Sequence, residues 1–312
     1  MLSRVAERVY WTGRYIERVE NTARLVQVYA ALLLDMPDDV RLGWYNLVAL
    51  NGAEADFDAR YTERDEASVV RFLIGDRDNP MSMVSSLAAV RENIRTTRDV
   101  VPAASWELAN QLSLYVATHL EAGIQRRERQ GFLDWIIGRC QHLNGLLIGT
   151  MCRDAAWEFM VLGRNLERAD MTTRILDAGA VAVASLAEDE MAGSSRQIVW
   201  GSVLRSLDAA QSYRRTVRRA VKGHLVARFL LEDPHFPRTL NHCLNRMLHA
   251  ASNLPRRGAI VDLLEAILNE GFDGIDYKQL GSEFRDVLND LQIGLGRAHQ
   301  QIQAVWFADQ SA

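Results

Sequence analysis

The chain has little of what marks secreted, membrane-spanning or metal-dependent proteins. Its three cysteines, Cys140, Cys152 and Cys243, are odd in number and far apart. That excludes a disulfide framework and a CxxC metal knuckle, and it fits a reduced, intracellular setting. The longest uncharged runs, Leu143–Cys152 and Ala178–Ala187, fall well short of the ~18 apolar residues that a membrane span needs. Charge at Arg4, Glu7 and Arg8 interrupts the start before an apolar run can form, so no signal peptide is expected there and the cytoplasm is the expected location. Positive charge is not in excess either: the net charge is -4, which argues against a nucleic-acid binder. No GxGxxG, P-loop or GxSxG sequence occurs, and we expect no cofactor. The seven histidines form no HExxH and no i,i+4 pair, and the single Glu-x-x-His, Glu232 to His235, lacks the second copy that a di-iron bundle needs, so no metal site is expected.

Helical spacing is what the chain has in abundance. Along the last segment Leu280, Phe284, Val287, Leu288, Leu291, Leu295, Ala298, Ile302 and Val305 repeat at the three-and-four spacing of one apolar helix face. Asp276 and Gln279 stand at capping-box spacing before it. Comparable patterns cover roughly 3–35, 38–53, 66–75, 82–100, 104–129, 132–150, 154–186, 196–231, 237–252 and 258–270, with no convincing strand. The six prolines fall between these segments or in their first turns. Three acids, Gly193 and two serines make Glu188–Ser195 the expected least ordered internal stretch.

Two stretches are copies of one another. Gly13-Arg14-Tyr15-Ile16-Glu17-Arg18 through Leu25 recurs 150 residues later as Gly163-Arg164-Asn165-Leu166-Glu167-Arg168 through Ile175. Arg71-Phe72-Leu73-Ile74-Gly75-Asp76 with Pro80 recurs, at an offset of 157, as Arg228-Phe229-Leu230-Leu231-Glu232-Asp233 with Pro237. Two pairs in the same order argue for a tandem duplication, 1–153 and 154–312. The expected fold is therefore an all-α helical bundle of two duplicated halves, related by a pseudo-twofold axis and sharing one core, with 3–35 and 154–186 at its centre.

What both copies keep is charged. Identity holds at Gly13/Gly163, Arg14/Arg164, Glu17/Glu167, Arg18/Arg168, Thr22/Thr172 and Arg24/Arg174. On a helix, Val5, Ile16, Val19, Ala23 and Val26 form an apolar face, with Arg14, Glu17, Glu20, Asn21 and Arg24 opposite. Glu20–Arg24 and Asp170–Arg174 have the favourable i,i+4 order. One reading is a structural network in which Glu and Arg lock one half against the other. The other is a polar pocket, with Arg14, Arg18, Arg164 and Arg168 receiving carboxylate or phosphate oxygens. The retained mid-helix glycines cost ~1 kcal/mol each relative to Ala and imply a close helix approach.

Two more charged groups stand out. Arg91 and Arg95, with Glu92, Asn93 and Arg98, form a basic cluster in the first half that the second half lacks, which makes them candidates for anion binding or a solvated face. Arg214, Arg215, Arg218, Arg219 and Lys222 form a basic stripe, read as an exposed face or as a dock for an acidic partner. His242-Cys243 places a base beside a thiol, but adjacent helical side chains diverge by ~100° and a nucleophilic cysteine is not expected.

Met1-Leu2-Ser3-Arg4-Val5-Ala6-Glu7, Tyr10-Trp11 and Gly13-Arg14-Tyr15-Ile16-Glu17-Arg18 resemble the opening of the bacterial alpha-E domain family, named for helical content and a conserved Glu-Arg motif. Asn79-Pro80, Arg91-Glu92-Asn93-Ile94-Arg95, Arg153-Asp154-Ala155-Ala156-Trp157, Glu167-Arg168, Asp233 and Phe236-Pro237-Arg238 continue the pattern in order over nearly the whole chain. Met81, where a small residue is expected, and Asn165, where an aromatic is expected, depart from it. The resemblance implies an auxiliary or binding subunit of a peptide-forming or peptide-modifying system. Its partners would be an ATP-grasp amidoligase and a transglutaminase-like peptidase, with a peptide or other anionic ligand. The alternative is an enzyme acting on a carboxylate- or phosphate-bearing peptide-like substrate. Glu17 or Glu167 would then be the catalytic acid/base, and Arg14, Arg18, Glu20, Arg24, Arg91, Arg95, Arg164, Arg168, Asp170 and Arg174 would be the ligand-binding candidates.

Overall fold

The computed structural model of the protein describes residues 3–36, 42–186 and 192–308, and these contain α-helices and no strand. The first seven helices are α1 (Ser3–Asp35), α2 (Asn46–Leu50), α3 (Glu54–Asp58), α4 (Glu66–Ile74), α5 (Met83–Thr96), α6 (Ala104–Ile124) and α7 (Arg126–Thr150). The second seven are α8 (Ala155–Ala184), α9 (Ala192–Ser206), α10 (Ala210–Thr216), α11 (Gly223–Glu232), α12 (Leu240–Ser252), α13 (Gly258–Glu270) and α14 (Ser282–Ile302). A single π turn, Gln303–Phe307, ends the described chain and buries Trp306 and Phe307.

Side-chain caps set several helix starts. Asp65, Ser82, Asp154 and Thr239 are extended and accept hydrogen bonds from the first-turn amides of α4, α5, α8 and α12. The two longest helices, α1 and α8, lie side by side at the centre. Around them α5 and α7 pack on α1, and α12 and α14 pack on α8. Buried apolar residues from both halves, among them Val9, Ile16, Leu133, Leu166 and Leu244, join in one core.

Four sequence expectations change. The pattern over 196–231 is not one helix, because Asp208 (φ 55) and Arg218 (φ 53) adopt left-handed backbone and break it into α9, α10 and α11. The basic stripe is therefore discontinuous, and Arg218 lies outside any helix. Within 38–53 the helix is confined to Asn46–Leu50, with residues 37–41 outside the described chain. Asp276 does not cap α14: its carboxylate accepts from the Lys278 amide in a preceding turn, and the helix begins after Gly281. Of Glu188–Ser195, residues 188–191 lie outside the described residues, and α9 already begins at Ala192.

The polar side of α1 is also not a solvent face. Ile16 through Val26 are buried all round, charged residues included, because α5, α7, α8 and α9 enclose the helix. A helix without an exposed face must satisfy its charges internally.

Candidate functional site: the buried Glu-Arg junction

The geometry starts from two glycines. A Cβ on Gly13 would sit 2.6 Å from the Met160 carbonyl oxygen, and one on Gly163 would sit 2.0 Å from that of Tyr10. Only hydrogen fits at either place, so α1 and α8 meet backbone to backbone. One turn later on each helix comes the Glu-Arg pair, which this close approach carries across to the other helix.

Glu167 is gripped entirely from α1. Arg18 donates from Nε at 2.6 Å and from Nη2 at 3.0 Å to its two oxygens, and Arg14 Nε donates at 2.7 Å. Glu17 is held differently: Arg168 of α8 pairs with it at 2.9 Å, in a charge contact whose N–H is not aimed as a hydrogen bond. Arg238, from the turn before α12, donates to the other oxygen of Glu17. The same guanidinium donates to Asn21 at 2.9 Å and to Glu20 at 2.8 Å. Its backbone carbonyl accepts from Thr172 at 2.7 Å, which fixes the turn on α8. Arg24 completes the set on Glu20 at 3.0 Å.

Burial pushes both glutamates toward the neutral form, but the arginines win. Arg168 and Arg238 hold the Glu17 carboxyl below the usual carboxylate range, and Arg18 and Arg14 bring that of Glu167 down to about 2. A general acid needs the opposite shift. The shift runs against a general-acid role for Glu17 or Glu167, since the arginines hold both as ionised counter-ions.

The structure brings Arg14, Arg18, Glu20, Arg24, Arg164 and Arg168 to this junction, with Asp170 and Arg174 paired at 2.8 Å on its flank. Arg91 and Arg95 do not join it. They lie exposed on α5, where Arg91 donates to Asn110 at 2.6 Å and Arg95 pairs with Glu92 at 2.7 Å. Cys243 is buried behind the Glu17 side, and burial pushes its thiol up to about 12, so it is no nucleophile at neutral pH. Behind Arg14 the Tyr10 hydroxyl and His299 Nδ1 are 2.8 Å apart, and burial, then the charge of Arg14, lowers the imidazole to about 4. Among the described residues no group of His, Cys, Asp and Glu could hold a metal ion.

Arg238 is the main residue that sequence reasoning missed. A signal was present: at the 157-residue offset it aligns with Met81, so a charge occurs in one copy alone.

Comparison with known proteins agrees with the resemblance. The family model described as a predicted alpha-helical domain with a conserved ER motif matches residues 1–307. The chain belongs to the Alpha-E family. Both Glu17-Arg18 and Glu167-Arg168 are ER pairs within this Alpha-E chain. It is also similar to Uncharacterized protein Mb2597 of Mycobacterium bovis, 26% identical over 278 residues that make up 81% of this chain and 30% of the relative. Uncharacterized protein Rv2567 of Mycobacterium tuberculosis matches to the same extent, 26% over 278 residues. The chain thus spans less than a third of the length of these relatives. No solved structure matches.

Proposed function

We propose that this Alpha-E chain is a non-catalytic helical module, an auxiliary or binding subunit of a peptide-forming or peptide-modifying system that works with an ATP-grasp amidoligase. The observation that carries the reading is the state of the duplicated motif. Both glutamates are buried and held ionised by arginines of the other half, so the ER pairs lock α1 to α8 and leave no carboxyl poised for proton transfer. The match to less than a third of longer relatives supports a unit that works beside other polypeptide rather than alone. A transglutaminase-like peptidase is the second partner that the family resemblance implies. No helix of the described residues is long and apolar enough to cross a membrane.

Co-purification with an ATP-grasp amidoligase of the same organism, and ligase turnover measured with and without this chain, test the reading. Association together with altered turnover is expected. Absence of association with unchanged turnover overturns it. The competing enzymatic reading needs turnover by the purified chain that Glu17→Gln abolishes without a change in melting temperature.

A further inference from the structure

By the sequence copy, Arg164 corresponds to Arg14, but it does not do what Arg14 does. Arg14 binds Glu167, whereas Arg238 occupies the Glu17 oxygen that Arg164 would otherwise take. Arg164 is left 8% exposed, with its Nε buried and without a partner. Burial, and then the neighbouring charge of Arg168, depress its guanidinium to about 10. A buried cation with no carboxylate on it is costly.

This side chain does not face a sealed core. It lines a cavity of ≈ 390 Å³ at the outer end of α8 and α12, together with Arg153, Trp157, Glu158, Arg246 and His249. Such a volume falls within the roughly 300–1,000 Å³ of small-molecule sites. Arg246 and His249 make no hydrogen bond or ion pair with another described residue. Arg153 sits over the Trp157 ring, 3.7 Å from its centre, and donates to the Ile148 carbonyl, which prepositions its guanidinium at the wall. Glu158 is already engaged by the Asn253 amide at 3.0 Å. Three guanidiniums against one carboxylate leave a formal excess of two positive charges in the lining. That excess matches a dianion better than a single carboxylate, and planar guanidiniums suit the oxygens of a phosphate group.

We propose that this cavity is a binding site for a phosphate-type oxyanion, either free or as a small monoester whose organic part lies along Trp157. The site goes beyond the auxiliary role proposed above and does not depend on it, since no ligase enters its test. Arg164 supplies the buried donor, Arg246 and Arg153 close on the anion from the mouth, and His249 stands at the rim.

Isothermal titration of the full chain with inorganic phosphate, O-phosphoserine and acetate at matched ionic strength tests it. Saturable one-to-one binding of phosphate or phosphoserine is expected, at least tenfold tighter than acetate. Tighter phosphoserine binding assigns the monoester, and equal binding assigns the free ion. Arg246→Ala, at the mouth, should weaken binding about tenfold, whereas Arg71→Ala on the remote α4 should leave it unchanged. Because Arg164 is buried, Arg164→Met is read by melting: it should melt above the wild type in anion-free buffer and lose the upward shift that phosphate gives the wild type. Absence of saturable phosphate binding, acetate binding as tightly, or full affinity in Arg246→Ala would each overturn the proposal.

Discussion

Glu17 and Glu167 sit in the same motif, on the same kind of helix, one turn past the same glycine, yet their surroundings differ. Glu167 takes both of its arginines from one helix and one motif, Arg14 and Arg18, in a closed arrangement. Glu17 takes Arg168 from the matching motif but draws its second arginine, Arg238, from a turn. The cause lies in one residue before a helix cap. Ser82 caps α5 and Thr239 caps α12 in the same way, but the residue before the first is Met81, exposed, and before the second Arg238, buried. A cation at that place captures Glu17 and displaces Arg164. The comparison teaches that a recurring Glu-Arg motif fixes where charges meet, while neighbours decide which charges are satisfied.

The strongest way to break the comparison is to neutralise each glutamate. Glu17→Gln strips the partly buried Arg168 of its anion, leaves the buried Arg238 with Glu20 as its only anion and removes the nearest negative charge from an already unpaired Arg164, and should cost about 3–5 kcal/mol. Glu167→Gln strands two arginines that keep stacking partners, Arg14 over Trp11 and Arg18 over Tyr15, and should cost less, about 2–3 kcal/mol. Denaturant unfolding of both variants checks the order; equal losses would erase the asymmetry. Acid titrates the same contact. With its folded value near 2 against an ordinary 4.5, Glu167 gives stability that is complete above pH 4.5 and is lost as pH falls toward 2. The loss amounts to about 3 kcal/mol.

The glycines come next. Alanine at either position gains ~1 kcal/mol of helix propensity but drives a methyl into the carbonyl of the facing helix. With the shorter approach at Gly163, 2.0 Å against 2.6 Å at Gly13, Gly163→Ala should be the worse. We expect a net loss of about 2 kcal/mol there and about 1 kcal/mol at Gly13, read as shifts of the denaturation midpoint at constant slope.

Much of this was legible in the chain. Glycine kept at mid-helix in both copies pointed to a close approach, and the contact exists because backbone carbonyls occupy the space of a Cβ. The i,i+4 order of Glu20–Arg24 and of Asp170–Arg174 gave pairs that form as written. The burial of the whole polar side of α1 was not legible, since periodicity separates two faces but does not say that a second layer covers the polar one. The breaks at Asp208 and Arg218 escaped because neither residue type signals a left-handed backbone as glycine does. Arg238 escaped because its partners lie more than 200 positions away, at Glu17, Glu20 and Asn21. Helical spacing carries no information at that range.

Arg238→Met recreates on the Glu17 side the residue that the first copy has, and so sharpens the comparison directly. It removes three charge-assisted contacts, but Arg24 remains on Glu20 and Arg168 on Glu17, while Arg164, which already feels the charge of Glu17, gains its carboxylate. The net cost should be only about 1–2 kcal/mol. Phosphate affinity should drop in the same variant, because the anion then competes with Glu17 for Arg164. A variant that unfolds outright, or that binds phosphate as the wild type does, would show that Arg238 is not what frees Arg164.

The smallest effect separates the two sites by pH. Beside Glu167 lies His299, which faces Tyr10, Arg14, Arg18 and Glu167; burial and the positive charge of Arg14 lower it from 6.5 to about 4. Between these values the unfolded chain binds a proton on this imidazole that the folded chain refuses, so stability falls as pH drops from 6.5 and levels off below 4. His299 is partly exposed, which keeps the slope shallow. On the Glu17 side the neighbouring titratable group is Cys243, which keeps its proton through the whole range. His299→Gln should therefore flatten the decline in melting temperature between pH 6.5 and 4.5, the window above the titration of Glu167. Cys243→Ala should shift the melting temperature equally at every pH in that window. If His299→Gln keeps the wild-type slope, the acid sensitivity belongs to another group and the imidazole is only a packing partner of Tyr10.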